Sequence, residues 1–259
     1  MFRAAMKIIR FTIPDALRPH RYFAALTRKR TGQRVIAGPF VGMRYVDRSV
    51  GSAYVPKLLG IYERELAPVI EQIIASRPSL IVDVGAAEGY YAVGLAYRLA
   101  ETRMIAFETE ERGRAAVAEM AALNDVGTRV VVKGTCDAES LDAVLDDQGA
   151  AVVLMDIEGY EDVLLDPQKV PALQSTTFLV ELHEFAVPGI TATIARRFEK
   201  THELELIWAE DRKSADFPWR TAITRLLPGR YIDGAVSEMR PEKMSWYFAR
   251  PKTRNGEKV

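Results

Sequence analysis

The sequence predicts an α/β protein: a doubly wound, mostly parallel seven-stranded sheet with an N-terminal helical extension. Three observations carry this. From Ser79 onward, short apolar runs alternate with segments of helical periodicity: SLIVDVG, GYYAVGLAYRLA, RMIAFE, EERGRAAVAEMAALN, TRVVVKG, AESLDAVLDD, AAVVLMDIE, YEDVLLDP, TTFLVELHE and ITATIARRFEKT. The strands in this series are almost continuously apolar, which requires both faces of the sheet to be covered. Repeated strand–helix units impose right-handed crossovers and parallel pairing. Two further strands, ELELIWAE (Glu203 to Glu210) and KMSWYFARP (Lys243 to Pro251), have no clear helix between them and are expected to close the sheet edge as an antiparallel pair.

The segments around the sheet are read from their punctuation. Pro14, Pro19, Gly32, Gly38 and Pro39 break the first fifty residues into short helices and turns. Residues 1–60 are therefore assigned to an extension, 61–251 to the sheet domain and 252–259 to a tail. IYERELAPVIEQIIAS (Ile61 to Ser76) has helical spacing, and Pro68 predicts a kink or break in it. Asp211 to Glu242, rich in Pro, Gly and charge, reads as a long loop, and loops of that length are usually functional or partly structured.

Composition excludes several classes. A chain of 259 residues can bury a core without a disulfide or metal staple. The 35 basic and 35 acidic residues cancel, so bulk charge gives no argument for a nucleic-acid partner, and none is expected. Cys136 is the sole cysteine, which excludes an intrachain disulfide and a cysteine-built zinc site and fits a reducing compartment. No apolar run approaches the ~18 residues that span a bilayer. Arg3, Lys7 and Arg10 interrupt the N-terminus, so it does not read as a secretory signal. The expected location is cytoplasmic. Met1 to Arg34 carries a single acid, Asp15, and its basic residues sit at helical spacing. A basic amphipathic helix touching a membrane surface and a solvated helix packed on the domain are both open. Oligomeric state is not readable.

The stretch IVDVGAAEGYYAVGLA (Ile81 to Ala96) passes from strand through a glycine turn into a helix. In open parallel sheets ligands bind at the carboxyl ends of the strands, at the switch point. A dinucleotide fingerprint requires G-x-G-x-x-G there, whereas Gly85, Ala86, Ala87, Glu88 and Gly89 read G-A-A-E-G. Ala87 stands near the place of the middle glycine, which admits a pyrophosphate. Asp83 and Glu88 add negative charge, which repels a pyrophosphate and tolerates a cation. S-adenosylmethionine is such a ligand, with an amino group, a sulfonium and no phosphate.

VDVGAAEG resembles motif I of the class I methyltransferases, whose fold is Rossmann-like. The stretch from about residue 78 to 185 resembles the FkbM-type family through IVDVGAAEGYYAV, AFETEE, LMDIEGYEDVLL and LVELHEF. The D-x-E-G-x-E block from Asp156 to Glu161 is the most family-specific, while Ala87 departs from the class's usual glycine. The resemblance implies S-adenosylmethionine as cofactor, held by Asp83, Gly85, Ala86, Ala87, Gly89, Glu108, Asp137 and Asp156. Asp83 would orient the methionine end, and Asp137 would border the adenine with Cys136 beside it. Glu108, an acid ending the second strand about twenty residues after Gly85, suits the ribose hydroxyls. Bland readings stand beside these: Asp83 as a turn cap, Glu108 as an acid on a helix dipole, Asp137 as an N-cap.

Asp156 and Glu158 leave the fourth strand, and Glu181 and His183 the fifth. At a period-2 strand end Asp156 and Glu158 would point the same way. The resemblance puts these strand ends beside the transferred methyl and implies O-methylation of a hydroxyl on a sugar, glycan or secondary metabolite. His183, Asp156, Glu158 and Glu181 are the catalytic candidates. His183 is the natural base, its pKa raised by Glu181 or Asp156. A divalent metal held by Asp156, Glu158, Glu181 or His183 is the alternative route to an activated hydroxyl, and no metal ligand is assigned. FPWR (Phe217 to Arg220) is a candidate cover for the acceptor, and KLLGIYERE for the cofactor pocket. His20 and His202 show no comparable partners, and Trp208, Trp219 and Trp246 read as core or hairpin packing. The rival readings are an NAD(P)-dependent oxidoreductase and a non-catalytic nucleotide-binding protein.

Overall fold

A computed structural model describes residues 19–146 and 150–252. Arg3, Lys7 and Arg10, and with them the candidate membrane helix, lie outside the described residues. No helix among the described residues is long and apolar enough to cross a membrane.

The sheet has seven strands: β1 (Leu80–Val84), β2 (Arg103–Phe107), β3 (Val130–Lys133), β4 (Ala151–Met155), β5 (Thr177–Leu182), β6 (His202–Trp208) and β7 (Ser245–Pro251). Their order is β3-β2-β1-β4-β5-β7-β6. The first five are parallel, and β7 runs antiparallel to β5 and β6. This is the expected α/β sheet with its closing antiparallel pair. From β1 the chain steps outward to β2 and β3, then returns to β4 on the other side of β1. The carboxyl ends of β1 and β4 therefore form the switch point where such sheets take ligands.

β1 and β4 are buried at all five positions, as their unbroken apolar runs require. Val82, Val153, Phe178, Val180 and Phe198 are among the residues that form the main core. Each buried aliphatic side chain there contributes roughly 1.5–3 kcal/mol. Phe178→Ala, which removes a fully buried ring, would cost about 3–5 kcal/mol. Trp208 lies on the edge strand β6 and is 50% exposed, with Lys243 Nζ 5.4 Å from the ring centroid.

The chain divides into two compact units. One takes in the chain up to Arg48, Ser52–Tyr62 and Asp211–Met239; the other takes in Ser49–Gly51, Glu63–Glu210 and Arg240 onward. The expected boundary at residue 60 falls close to the break at Tyr62, but Asp211–Met239 groups with the N-terminal segment and not with the sheet. The first unit contains α1 (Pro19–Thr31) and α2 (Tyr54–Leu59), and later α9 (Ala222–Leu226) and α10 (Gly229–Val236). Phe23, Val55, Leu59, Phe217, Ile232 and Val236 form its own core, with Trp219 packed against it. Arg212 is buried, paired with Glu238 at 2.9 Å and donating to the Ile61 carbonyl at 2.6 Å. The segment read as a long loop thus carries helices and contributes to a core.

The sheet unit holds the helices that flank the strands. A 3₁₀ turn, Arg64–Leu66, precedes α3 (Ala67–Ser76). Pro68 falls in the first turn of α3, where its missing N–H costs nothing, so the predicted break lies just ahead of it. α4 (Tyr90–Arg98) starts at Gly89, and α5 (Glu111–Leu123) follows β2. α6 (Ala138–Leu145) follows β3, α7 (Glu161–Leu164) follows β4, and α8 (Ile190–Phe198) follows β5.

Candidate active site

Two groups of residues meet the carboxyl ends of the central strands. The first is the glycine turn after β1. Gly85 has φ 88°, and a Cβ there would lie 1.8 Å from the Asp156 carbonyl oxygen, so only glycine lets this turn lie against the exit of β4. The amides of Gly85 and Ala86 both donate to the Phe107 carbonyl at 3.0 Å, and that of Gly89 to Ala86 at 2.7 Å. The Ala87 amide donates to Glu108 Oε2 at 2.8 Å, and the Glu110 amide to Glu108 Oε1 at 2.7 Å. Each Glu108 oxygen is thus fixed by one backbone donor; Thr109 Oγ1 also donates to Oε1 at 3.5 Å, and Oε2 keeps a lone pair for another partner. Gly113 on α5 makes room for this: a Cβ there would meet Glu108 Cγ at 2.6 Å.

Asp83 is buried one residue before the end of β1. Asp137 is the N-cap of α6, accepting the Ser140 amide at 2.8 Å, and this bond holds its carboxyl below the usual range. Burial pushes the neighbouring Cys136 thiol up to about 12, which leaves it unreactive. Glu88 departs from its expected part as ligand-facing charge. Its fully buried carboxylate accepts Ser49 Oγ at 2.8 Å and the Val50 amide at 2.9 Å.

The second group sits where β4 and β5 end. Asp156 follows Met155, and its amide donates to the Val84 carbonyl at 3.0 Å. The strand stops there: Glu158 has φ 56° and Gly159 φ 102°, so the period-2 expectation does not apply. Both carboxylates reach His183 by a turn instead. His183 Nε2 lies 3.5 Å from Asp156 Oδ1, 3.8 Å from Glu158 Oε2 and 3.9 Å from Glu181 Oε2. Its Nδ1 lies 2.6 Å from Glu161 Oε1, which also accepts the Ile157 amide at 3.0 Å. Arg240 pairs with both Glu63 and Glu181, Tyr91 donates to Glu63, and the guanidinium lies 4.7 Å above the Trp246 ring.

The electrostatics follow. Burial alone would lower the His183 pKa, but the hydrogen bond and charge of Glu161, with Asp156 and Glu158, outweigh it and the net shift is upward. The expectation named Glu181 or Asp156 as the cause; Glu161 is the larger one. Desolvation, then the charge of Glu63, pushes Asp156 up to about 6 against the pull of His183. Its side chain is nevertheless 49% exposed, so Asp156 is a group that solvent reaches in a recess surrounded by protein. Burial, then the charges of Asp156 and Glu63, push Glu181 well above the usual range, and a hydrogen bond to Asp156 helps keep its proton.

Glu161, Glu63 and Arg240 belong to this site and were not among the sequence candidates. Glu161 lay within the D-x-E-G-x-E block, which was its signal; Glu63 lies within KLLGIYERE, singled out only as a candidate cover, and Arg240 in a segment that carries no motif. The donor atoms of Asp156, Glu161 and His183 gather within 4.8 Å of one another. His202 does have partners, but structural ones: its ring is buried beside Phe178 and Phe198, with Thr201 Oγ1 at 2.9 Å and the Thr176 carbonyl at 3.0 Å.

No family model and no curated protein matches the chain. Solved structures do. An O-methyltransferase from Bacillus cereus in complex with SAH is 10% identical, over 96% of this chain and 97% of that one, with a TM-score of 0.47. An O-methyltransferase from Streptomyces achromogenes involved in tomaymycin synthesis, in complex with SAM, is 16% identical over 71% and 80%, with a TM-score of 0.45. A precorrin-6y C5,15-methyltransferase from Geobacter metallireducens is 11% identical over 71% and 88%, with a TM-score of 0.48.

Proposed function

We propose that the chain is an S-adenosylmethionine-dependent methyltransferase of the FkbM type. Its reaction is O-methylation of a hydroxyl on a sugar, glycan or other small molecule. The observation that carries the cofactor choice is that four amides of the glycine turn are already engaged. The amides of Gly85, Ala86, Ala87 and Gly89 all donate to protein acceptors, so they offer no cradle to a pyrophosphate. The same turn leaves a lone pair on Glu108 Oε2 for a ribose hydroxyl. That combination suits a nucleoside without phosphate and disfavours the dinucleotide reading.

When bound, the cofactor supplies a methyl group already activated on a sulfonium. The chain's own residues then have to align the acceptor and remove its proton. With the Nδ1 proton of His183 directed at Glu161, Nε2 is the proton acceptor. Asp156 and Glu158, both within 4 Å of Nε2, stabilise the imidazolium that forms. Because the His183 pKa is raised, its neutral, basic form gains population as pH rises through that value. Zero net charge supports a small-molecule or glycan acceptor over nucleic acid, and the lone buried cysteine fits a cytoplasmic enzyme.

Methyl-labelled S-adenosylmethionine, offered with a panel of sugars, glycans and small alcohols and with matched amines, tests this reading. Label is expected on oxygen, at a rate that increases as pH rises through the raised His183 value. Transfer to the amines alone would overturn the O-methylation reading.

A further inference from the structure

We propose that the segment from Phe217 to Ile232 is a docking surface for the anionic face of a lipid bilayer. A helix packed the wrong way round is the first reason. α9 buries one residue, the polar Thr224. Thr221 and Thr224 cap the helix reciprocally: the Thr221 amide donates to Thr224 Oγ1 at 2.8 Å, and the Thr224 amide to Thr221 Oγ1 at 3.1 Å. The apolar Ile223 and Leu226 are instead 50% and 86% exposed. Residues three apart on a helix are neighbours, so these two side chains form one patch. A helix that packs its apolar stripe on a core shows the opposite arrangement. Tyr231 on α10 is exposed as well, while Ile232 and Val236 of the same helix are in the core.

Charge is the second reason. Phe217 to Ile232 holds Arg220, Arg225 and Arg230 and no Asp or Glu. All three are exposed, and none is ion-paired with a described residue. α1, which packs on α10, adds exposed Arg28, Lys29 and Arg30 in its last turn. Over residues 19–48, 52–62 and 211–239, thirteen Lys and Arg stand against five Asp and Glu. The zero net charge of the chain therefore conceals a basic unit.

The two observations together select the partner. An anionic bilayer meets the arginines with lipid phosphates and the Ile223–Leu226 patch with the boundary of the acyl chains. A second copy of the chain would set arginine against arginine. A polynucleotide would answer the charge but leave the apolar patch in water. The surface is held in shape from beneath: Phe217 meets Phe23 edge-on at 5.1 Å and Trp219 at 5.3 Å, and Tyr22 Oη lies 3.0 Å from Thr221 Oγ1. Each arginine near such a membrane contributes about fivefold in affinity. That contribution fades beyond a Debye length, ~8 Å at physiological salt.

This inference goes beyond the methyltransferase reading and does not depend on it. Co-sedimentation of the whole chain with vesicles tests it, comparing phosphatidylcholine mixed with phosphatidylglycerol against phosphatidylcholine alone. Binding is expected to the mixed vesicles, and it should weaken as salt is raised. Arg225→Gln with Arg230→Gln should weaken it roughly 10–30-fold. Ile223→Ser with Leu226→Ser should weaken it about tenfold or more, through lost apolar burial alone. All four positions are exposed, so the fold is expected to hold. A third variant changes Arg3, Lys7 and Arg10 to Gln. Vesicle binding lost in that variant and unchanged in the other two overturns the surface. No vesicle binding, or equal binding to both kinds of vesicle, also overturns it. Binding of polyuridylate without vesicle binding, lost in Arg225→Gln with Arg230→Gln and kept in Ile223→Ser with Leu226→Ser, overturns it in favour of a nucleic acid.

Discussion

The ends of β1 and β2 and the ends of β4 and β5 sit one strand apart and are built on opposite principles. At the first, the amides of Gly85, Ala86, Ala87 and Gly89 and the Glu88 carboxylate are answered by the protein: the amides by the Phe107 and Ala86 carbonyls and by Glu108, and the carboxylate by Ser49 and Val50. At the second, carboxylates crowd around one imidazole, two of them hold raised pKa values, and a buried oxygen of Glu161 has no hydrogen-bond partner among the described residues. The first arrangement presents a preformed surface to a ligand. The second stores electrostatic cost that proton transfer or a cation can release. Substitutions on the two sides should therefore behave differently.

The largest effect is expected from His183→Ala, which should lower turnover by about 10²–10⁴-fold while leaving S-adenosylhomocysteine affinity nearly unchanged. Steady-state kinetics and calorimetry on the same variant check both halves. Glu108→Ala should do the reverse, weakening cofactor-product binding by roughly 10–100-fold, since each lost charge-assisted hydrogen bond is worth about 1.5–3 kcal/mol. It should also lower the melting temperature, because the Ala87 and Glu110 amides lose their acceptor.

Asp156→Asn sharpens the contrast through pH. The Asp156 pKa lies at about 6, above its ordinary 3.8, so the protonated form favours the fold. That contribution is complete below the ordinary value and is lost as pH rises through about 6. The variant should melt about 1–3 °C higher than the parent at pH 8 and no higher at pH 3.5, a shift kept small by the screening of a half-exposed group. Scanning calorimetry at the two pH values reads this directly. The smallest effect belongs to Ala87→Gly. Ala87 has φ 50°, a left-handed conformation that costs a residue with a Cβ about 1–2 kcal/mol. Glycine's extra unfolded-state freedom, roughly 0.5–1 kcal/mol, offsets most of that strain, so the substitution should raise the melting temperature by no more than about 1 °C.

The same division marks what the sequence made legible. The parallel strands, the glycine turn and Glu108 are local signals, written in contiguous apolar runs and in one loop. Asp156, Glu158, Glu181 and His183 were readable because they stand at strand ends. Glu63 and Arg240 were not, since they reach the cluster from the 3₁₀ turn before α3 and from the approach to β7, and no spacing rule links those segments. Gly113 gave only the faint sign of a glycine inside a helix, and its reason is the Glu108 side chain beside it. Residues 211–242, read as a long loop that is functional or partly structured, carry α9 and α10, short helices that Pro228 and Gly229 interrupt and that leave little periodicity.

Calorimetric titration with S-adenosylhomocysteine, with NADH and NADPH run alongside, tests the central claim most directly. The account predicts that the parent chain and His183→Ala bind S-adenosylhomocysteine, that Glu108→Ala binds it far more weakly, and that neither nicotinamide binds. Binding of NADH or NADPH by the parent chain, or S-adenosylhomocysteine binding that survives Glu108→Ala unchanged, would contradict it.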